Sequence, residues 1–286
     1  MKAKAYAKLN LGLHVLKSRD DGFHDIETVF LKVGWHDTLH FTGSHEISMS
    51  CSDPVLPTDE RNLCVRAARD LIAKTALQAN SEIAQGAQIS LTKEIPYGAG
   101  LGGGSSDAAT TLLSLNDLLN AGLTPADLLH LGSELGSDVP FFLGEGIAYG
   151  QGRGEVLEVV GEIRALDEKH LAIVVPDVRV STEEAYAGVA PFSEGRADLK
   201  SLVSQGSLAD WRARLVNDFE PSVMRKYPAI SELKKSFYEA GAEYASMSGS
   251  GSAVFGVFGS VQAASSFVDA RPRGYRCWFG EAETAH

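Results

Sequence analysis

The stretch Pro96-Tyr97-Gly98-Ala99-Gly100-Leu101-Gly102-Gly103-Gly104-Ser105-Ser106-Asp107 decides how the chain is read. Residues 87–93 (AQISLTK) before it have the alternation of a strand. From Ser105 onward Ala108, Ala109, Leu112, Leu113, Leu115 and Leu119 trace the apolar face of a helix that stops before Gly122. A strand, a glycine loop and a helix in that order expose successive backbone N–H groups at a helix N-terminus, where the aligned peptide dipoles favour an anion, phosphate above all. A flexible linker is the bland alternative, but linkers are not framed by a strand and an amphipathic helix. Gly98, Gly100 and Gly103 also satisfy the G-x-G-x-x-G of dinucleotide sites. That motif needs an acidic residue about 20 positions on, at the end of a second strand, and Asp117 and Asp127 both fall in helical patterns. A Walker A loop needs lysine where Gly104 stands. An anion cradle without its own lysine remains, and positive charge must come from Lys93, at the end of the feeding strand, or Lys8. Taken singly, each of these lysines reads as a solvated surface charge.

Glycine is abundant throughout, at 29 of 286 residues, and 18 of these lie in the windows 98–104, 132–161 and 241–259. Hydrophobic residues at 44% and charged residues at 22% describe an ordinary globular chain long enough for two domains or one large one. Lys+Arg 26 against Asp+Glu 37 leaves a formal net charge of −11, which argues against sequence-independent binding to nucleic acid or to an anionic membrane. Cys51, Cys64 and Cys277 form no CxxC pair and no disulfide framework, as in a reducing cytoplasm. Lys8, Asn10 and His14 interrupt any signal-peptide core, and no apolar run reaches membrane-spanning length, so a soluble, unprocessed protein is expected.

Leu9, Leu11, Leu13 and Val15 alternate with Lys8, Asn10, Gly12 and His14, the period of a strand with one buried face, so Lys8 and Asn10 point the same way. A turn at Asp20-Asp21-Gly22, strands at 27–35 and 38–42 and a helix from Asn62 to about Gln78 follow. Thr124, Pro125 and Asp127 carry the N-terminal signals of a helix running to about Leu135, which Gly136-Ser137-Asp138-Val139-Pro140 stops. A polar stretch at about 150–168 is the best boundary. Beyond it come a strand at 171–175, helical patterns at 182–188, 208–216 and 229–240, strands at 243–247 and 252–258, a helix at 260–269 and a strand at 275–279. Mixed elements without strict alternation predict an α+β fold. His36 and His40 lie in a strand pattern, where their spacing makes no helical metal pair.

The glycine loop resembles the signature of the GHMP kinases, named for galactokinase, homoserine kinase, mevalonate kinase and phosphomevalonate kinase. Four more segments agree, in order: AKLNLGLHV (7–15), DGFHDIETVF (21–30), GSDVPFFLGEGIAYGQGRGE (136–155) and SMSGSGSAVFGVF (246–258). Together they are closest to the branch of the family acting on cytidine-diphosphate-linked methylerythritol. The resemblance implies a two-domain fold, with a ribosomal protein S5 domain 2-like ATP-binding domain over 1–157 and a ferredoxin-like domain over 158–286. It implies transfer of the γ-phosphoryl of ATP to a hydroxyl, with Mg²⁺ bridging the β- and γ-phosphates.

By the same resemblance Asp138 is the expected base. On the residues alone, it reads equally as a surface residue ending a helix. Lys8 is its expected cationic partner, holding it ionised and polarising the acceptor hydroxyl or the transferring phosphate. Asn10, Phe23 and His24 are expected to read the acceptor, with Tyr186 as a second aromatic wall; many relatives have tyrosine where Phe23 stands. For ATP, the resemblance implies Pro96, Gly98, Gly100, Leu101, Gly102, Gly103, Gly104, Ser105 and Ser106 around the phosphates, with Asn62 and Lys93 near the nucleoside. The protein ligands of Mg²⁺ stay open, Asp107 unassigned. The Ser248–Ser252 turn is either a plain hairpin or a third wall of the site. The alternatives are another small-alcohol kinase of the family and a non-catalytic metabolite sensor on its fold. Small-molecule partners are expected, not nucleic acid or membrane.

Overall fold

The computed structural model describes residues 1–79, 86–144, 146–189 and 196–282. Two compact units are formed, one from Met1–Ala7, His36–Ile95 and Gly102–Glu145, the other from Lys8–Trp35, Pro96–Leu101 and Gly146–His286. Each draws on three stretches of chain, whereas the single cut after 157 expected from the sequence assigns Lys8–Trp35 and Pro96–Leu101 to the first half. Two long strands, β1 (Lys2–Ser18) and β2 (His24–Ser44), contribute to both units.

In the first unit β3 (Ser48–Cys51) and α1 (Leu63–Ala79) are followed by β4 (Gly86–Thr92). β4 pairs antiparallel with the end of β2, from Thr38 opposite Thr92 to Ser44 opposite Gly86, and parallel with β3. Three helices complete the unit: α2 (Gly103–Leu118), α3 (Pro125–Leu135) and α4 (Val139–Leu143). α2 packs against α1, α3 and α4, burying Ala108, Ala109, Leu112 and Leu115 completely. It starts two residues before the expected Ser105, and Leu113 turns out of its buried face, 40% exposed. α3 opens on a full capping box: Asp127 N donates to Thr124 Oγ1 at 3.2 Å and Thr124 N donates to Asp127 Oδ2 at 3.1 Å. The 136–140 stop ends α3 as expected, but the chain immediately winds into α4, whose five apolar residues carry no period to read.

In the second unit the start of β2 pairs with β5 (Ile147–Gln151), which pairs with β6 (Val156–Val160), both antiparallel. This hairpin occupies part of the polar stretch read from the sequence as a boundary. β7 (His170–Val175), α5 (Thr182–Ala187), α6 (Leu199–Gln205), α7 (Leu208–Arg214), α8 (Glu220–Lys226), α9 (Pro228–Glu239), β8 (Tyr244–Met247), β9 (Val254–Phe258), α10 (Val261–Asp269) and β10 (Arg276–Glu281) follow. The last strands form an antiparallel sheet in the order β10-β7-β9-β8. Phe237 of α9, Phe258 of β9 and Phe267 of α10 pack with tilted rings within its core. α6 and α8, seven residues each, are additional to the helical patterns expected from the sequence.

The main correction concerns β1. The alternation 8–15 predicts one buried and one solvated face, yet every residue from Ala7 to Val15 is buried. Residues 216–218 lie along it, with Leu13 N donating to the Val216 carbonyl and Asp218 N to the Leu13 carbonyl, both at 2.9 Å. The polar stripe of β1 therefore lies inside the second unit.

The capping box gives a test. Hydrogen bonds from the Thr124 side chain and backbone hold the Asp127 carboxyl at about 2, so its contribution is complete above the ordinary carboxylate value and fades as pH falls toward 2. Thr124→Ala is expected to lower stability by about 1 kcal/mol in urea unfolding at pH 7. The gap between the two proteins should close in acid.

Candidate active site

The buried stripe of β1 has to satisfy its polar atoms internally. Lys8 Nζ donates to Asn10 Oδ1 at 2.5 Å, Asn10 Nδ2 to Thr28 Oγ1 of β2 at 2.9 Å, and Thr28 Oγ1 to the Gly12 carbonyl at 2.6 Å. Lys8, at 4% exposure, is no solvated charge, and its ammonium lies 5.4 Å from the centre of the Phe30 ring. Asn10 N donates to Ser248 Oγ at 3.3 Å, and Ser248 Oγ donates to the Gly100 carbonyl at 2.9 Å. Lys8 N donates to the Leu101 carbonyl at 2.9 Å and Ala253 N to the Ala99 carbonyl at 3.0 Å. Strand β1, the first half of the glycine loop and the Ser248 turn are thereby knit together in the second unit. The 248–252 turn is thus packed against the glycine loop and β1.

Gly98, Gly100 and Gly102 all have positive φ and alternate with Ala99 and Leu101, the left-handed pattern that builds an anion-binding nest of backbone N–H groups. Gly100 is obligatory twice over: its φ is +80°, and a Cβ there would overlap the Ser248 carbonyl oxygen. Asn217, buried between α7 and α8, braces the same turn by donating to the Met247 and Gly249 carbonyls at 2.8 and 2.9 Å. Nothing in its local sequence marks it, because its partners lie thirty residues away.

In the first unit Gly102 precedes α2, with Ser106 N donating to the Gly102 carbonyl at 2.9 Å, so Gly103, Gly104, Ser105 and Ser106 form the helix's first turn. Lys93 is buried, not solvated. Its ammonium is paired with Asp37 and with Asp107 Oδ2, the latter at 2.9 Å. Burial works against its charge, but Asp107 and Asp37 outweigh it and raise its pKa above that of an ordinary lysine. Burial first, and then the Asp37 charge, push the Asp107 carboxyl up to about 7 against the pull of Lys93; its Oδ1 is buried with no hydrogen-bond partner. Asn62 caps α1: Oδ1 accepts from Cys64 N at 3.0 Å and Nδ2 donates to the Pro57 carbonyl at 2.7 Å. Asp138 is the residue preceding α4, partly buried, and makes no side-chain cap to that helix. It belongs to the first unit and Lys8 to the second.

Of the acceptor residues, His24 and Tyr186 are brought together, their rings stacked at 4.7 Å and 21°. Tyr186 also meets the Phe219 ring edge-on at 4.8 Å, and Ser18 Oγ lies 3.1 Å from His24 Nε2. Phe23 stands apart, half exposed, with the Arg153 guanidinium 5.0 Å over its ring. Arg153 went unmarked in the sequence, because the glycines of GQGRGE drew the reading to backbone freedom.

Among the described residues no group of three or more His, Cys, Asp or Glu side chains could hold a metal ion. Asp107, the carboxylate of the loop, is turned onto Lys93, so the residues present do not build a Mg²⁺ cage. The three cysteines are free, and no helix among the described residues is long and apolar enough to cross a membrane.

Comparison with known proteins agrees with this geometry. The family descriptions "GHMP kinases N terminal domain" and "GHMP kinases C terminal" match residues 62–146 and 196–276. The chain is a GHMP kinase. It is 43% identical over 282 residues to a 4-diphosphocytidyl-2-C-methyl-D-erythritol kinase of Chlorobium phaeobacteroides, covering 96% of this chain and 93% of that one. To the enzyme of that name from Salinibacter ruber it is 42% identical, with 95% of each chain covered. A crystal structure of 4-(cytidine 5'-diphospho)-2C-methyl-D-erythritol kinase superposes with a TM-score of 0.79 at 34% identity over 98% of both chains. Homoserine kinase from Cytophaga hutchinsonii shares the fold, with a TM-score of 0.71 at 21% identity over 99% of this chain and 95% of that one. The chain thus has the two-domain α+β fold of the family and is an ATP-dependent kinase of a small-molecule alcohol.

Two outcomes are expected. Gly100→Ala should abolish measurable nucleotide binding and lower the Tm, since the Ser248 turn has to move. For Asp107 the folded chain keeps a proton that the unfolded chain has released, so stability falls as pH rises from about 4 toward 7. Asp107→Asn should flatten that fall in thermal melts run across this range.

Proposed function

We propose that this kinase moves the γ-phosphoryl of ATP to the 2-hydroxyl of 4-diphosphocytidyl-2-C-methyl-D-erythritol, a step of non-mevalonate isoprenoid biosynthesis, in the cytoplasm. The observation that carries the reading is similarity along nearly the whole chain to enzymes printed under that substrate's name, eight of them at 41–45% identity. The acceptor segment supports it. A half-exposed Phe23, a His24–Tyr186 stack and an arginine supply aromatic faces and donors suited to a pyrimidine diphosphate.

In this reading the amides of the glycine loop and of the first turn of α2 hold the phosphates of ATP. Asp138 accepts the proton of the acceptor hydroxyl as the new oxygen–phosphorus bond forms and the bond to ADP breaks. Lys8, oriented by Asn10, supplies positive charge that offsets charge on the transferring group. Asn10 is itself fixed through Thr28, so the ammonium is aimed before substrate arrives.

The decisive test is ADP release with the cytidine diphosphate acceptor set against mevalonate, homoserine and galactose. Turnover confined to the first is expected; its absence refutes the assignment. Asp138→Asn should lower kcat by about 10³-fold with ATP affinity retained, measured by coupled assay and calorimetry. Near-normal turnover in that variant would remove Asp138 from its role.

A further inference from the structure

Asp37 lies on β2, outside every glycine segment, and is completely buried. Its Oδ1 accepts from two consecutive backbone groups, Glu94 N at 2.6 Å and Ile95 N at 2.9 Å, while Oδ2 is paired with the Lys93 ammonium. Those three residues are the last before the glycine loop. The far end of the loop meets the same cluster. Gly103, the first residue of α2, faces Ile95 and Lys93 so closely that a Cβ would lie 3.1 Å from Ile95 Cγ2 and 3.2 Å from Lys93 Nζ. One turn further on, Asp107 completes the pairing with Lys93 at 2.9 Å.

A buried carboxylate needs partners of this quality, because an unpaired charge in the interior is costly. Asp37 by itself balances the charge of the Lys93 ammonium, and it spends its second oxygen wholly on backbone. That arrangement fixes where the chain leaves β4 and, through Lys93, where α2 begins. The separation between those two points sets the span that the loop closes, and with it the direction of the loop's amides. We infer that Asp37 is a positioning residue for the nucleotide: acting through Lys93 and the amides of Glu94 and Ile95, it ties the two ends of the phosphate loop together. Lys93 then serves as the internal strut of the loop. The inference rests on the reading of this loop as the nucleotide site.

The test is Asp37→Asn, which keeps the shape and one acceptor oxygen but removes the charge. ATP affinity is measured by calorimetry, and the kinetic constants for each substrate separately. Expected is a tenfold or greater weakening for ATP, with kcat and the acceptor KM within about twofold of the parent. Leu112→Ala, a cavity in the same helix α2, serves as the stability control. At a matched loss of Tm it should leave ATP affinity within twofold. If Asp37→Asn does not fold, Asp37→Ser, whose hydroxyl still accepts from one amide, takes its place with the same criteria. Unchanged ATP affinity in the Asp37 variant, or equal weakening in Leu112→Ala, overturns the inference. Failure of the parent protein to bind ATP refutes the nucleotide reading itself, which separates the two outcomes.

Discussion

A polar stripe on the buried middle of β1, Ala7–Val15, is the constraint on which this site depends. Lys8 and Asn10 have lost their water, and polar groups in that position are tolerated only when each finds a partner. Lys8 turns to Asn10, Asn10 to Thr28 and the Ser248 hydroxyl, and that hydroxyl to the Gly100 carbonyl. A strand, a glycine loop and a turn more than a hundred residues away are held in register by a chain of hydrogen bonds whose members are nearly inaccessible to solvent. Such a network is worth having only complete, since a gap leaves an orphaned group in a low-dielectric interior.

The first unit solves a related problem with charge. A glycine loop that binds anions through amides needs its ends fixed, because glycine supplies no side chain to pack. Asp37, Lys93 and Asp107 form a buried cluster at the start of α2, in which burial and the Asp37 charge hold the Asp107 carboxyl above its usual pKa.

The glycine loop, its flanking strand and helix, the Thr124 cap and the last antiparallel strands were legible because each has a local signal: composition, period or a capping pair. What escaped had distant causes. β1 shows a half-buried alternation, and only residues 216–218 and the Ser248 turn reveal that its polar side is covered. Lys93 has the spacing of a surface lysine until Asp37, fifty-six positions earlier, closes on it. Arg153 and Asn217 act on rings and carbonyls far along the chain. α4 has five apolar residues and no period to read, and α6 and α8 lack the full Ser207–Asp210 type of capping box that opens the equally short α7.

Each compact unit is assembled from three separate stretches of chain, interleaved along the sequence. No single cut in the gene releases either one whole. Such a protein cannot acquire a new acceptor specificity by exchanging one half for another in a single recombination event. Its two units are tied together along the sequence by the strands β1 and β2, which contribute residues to both.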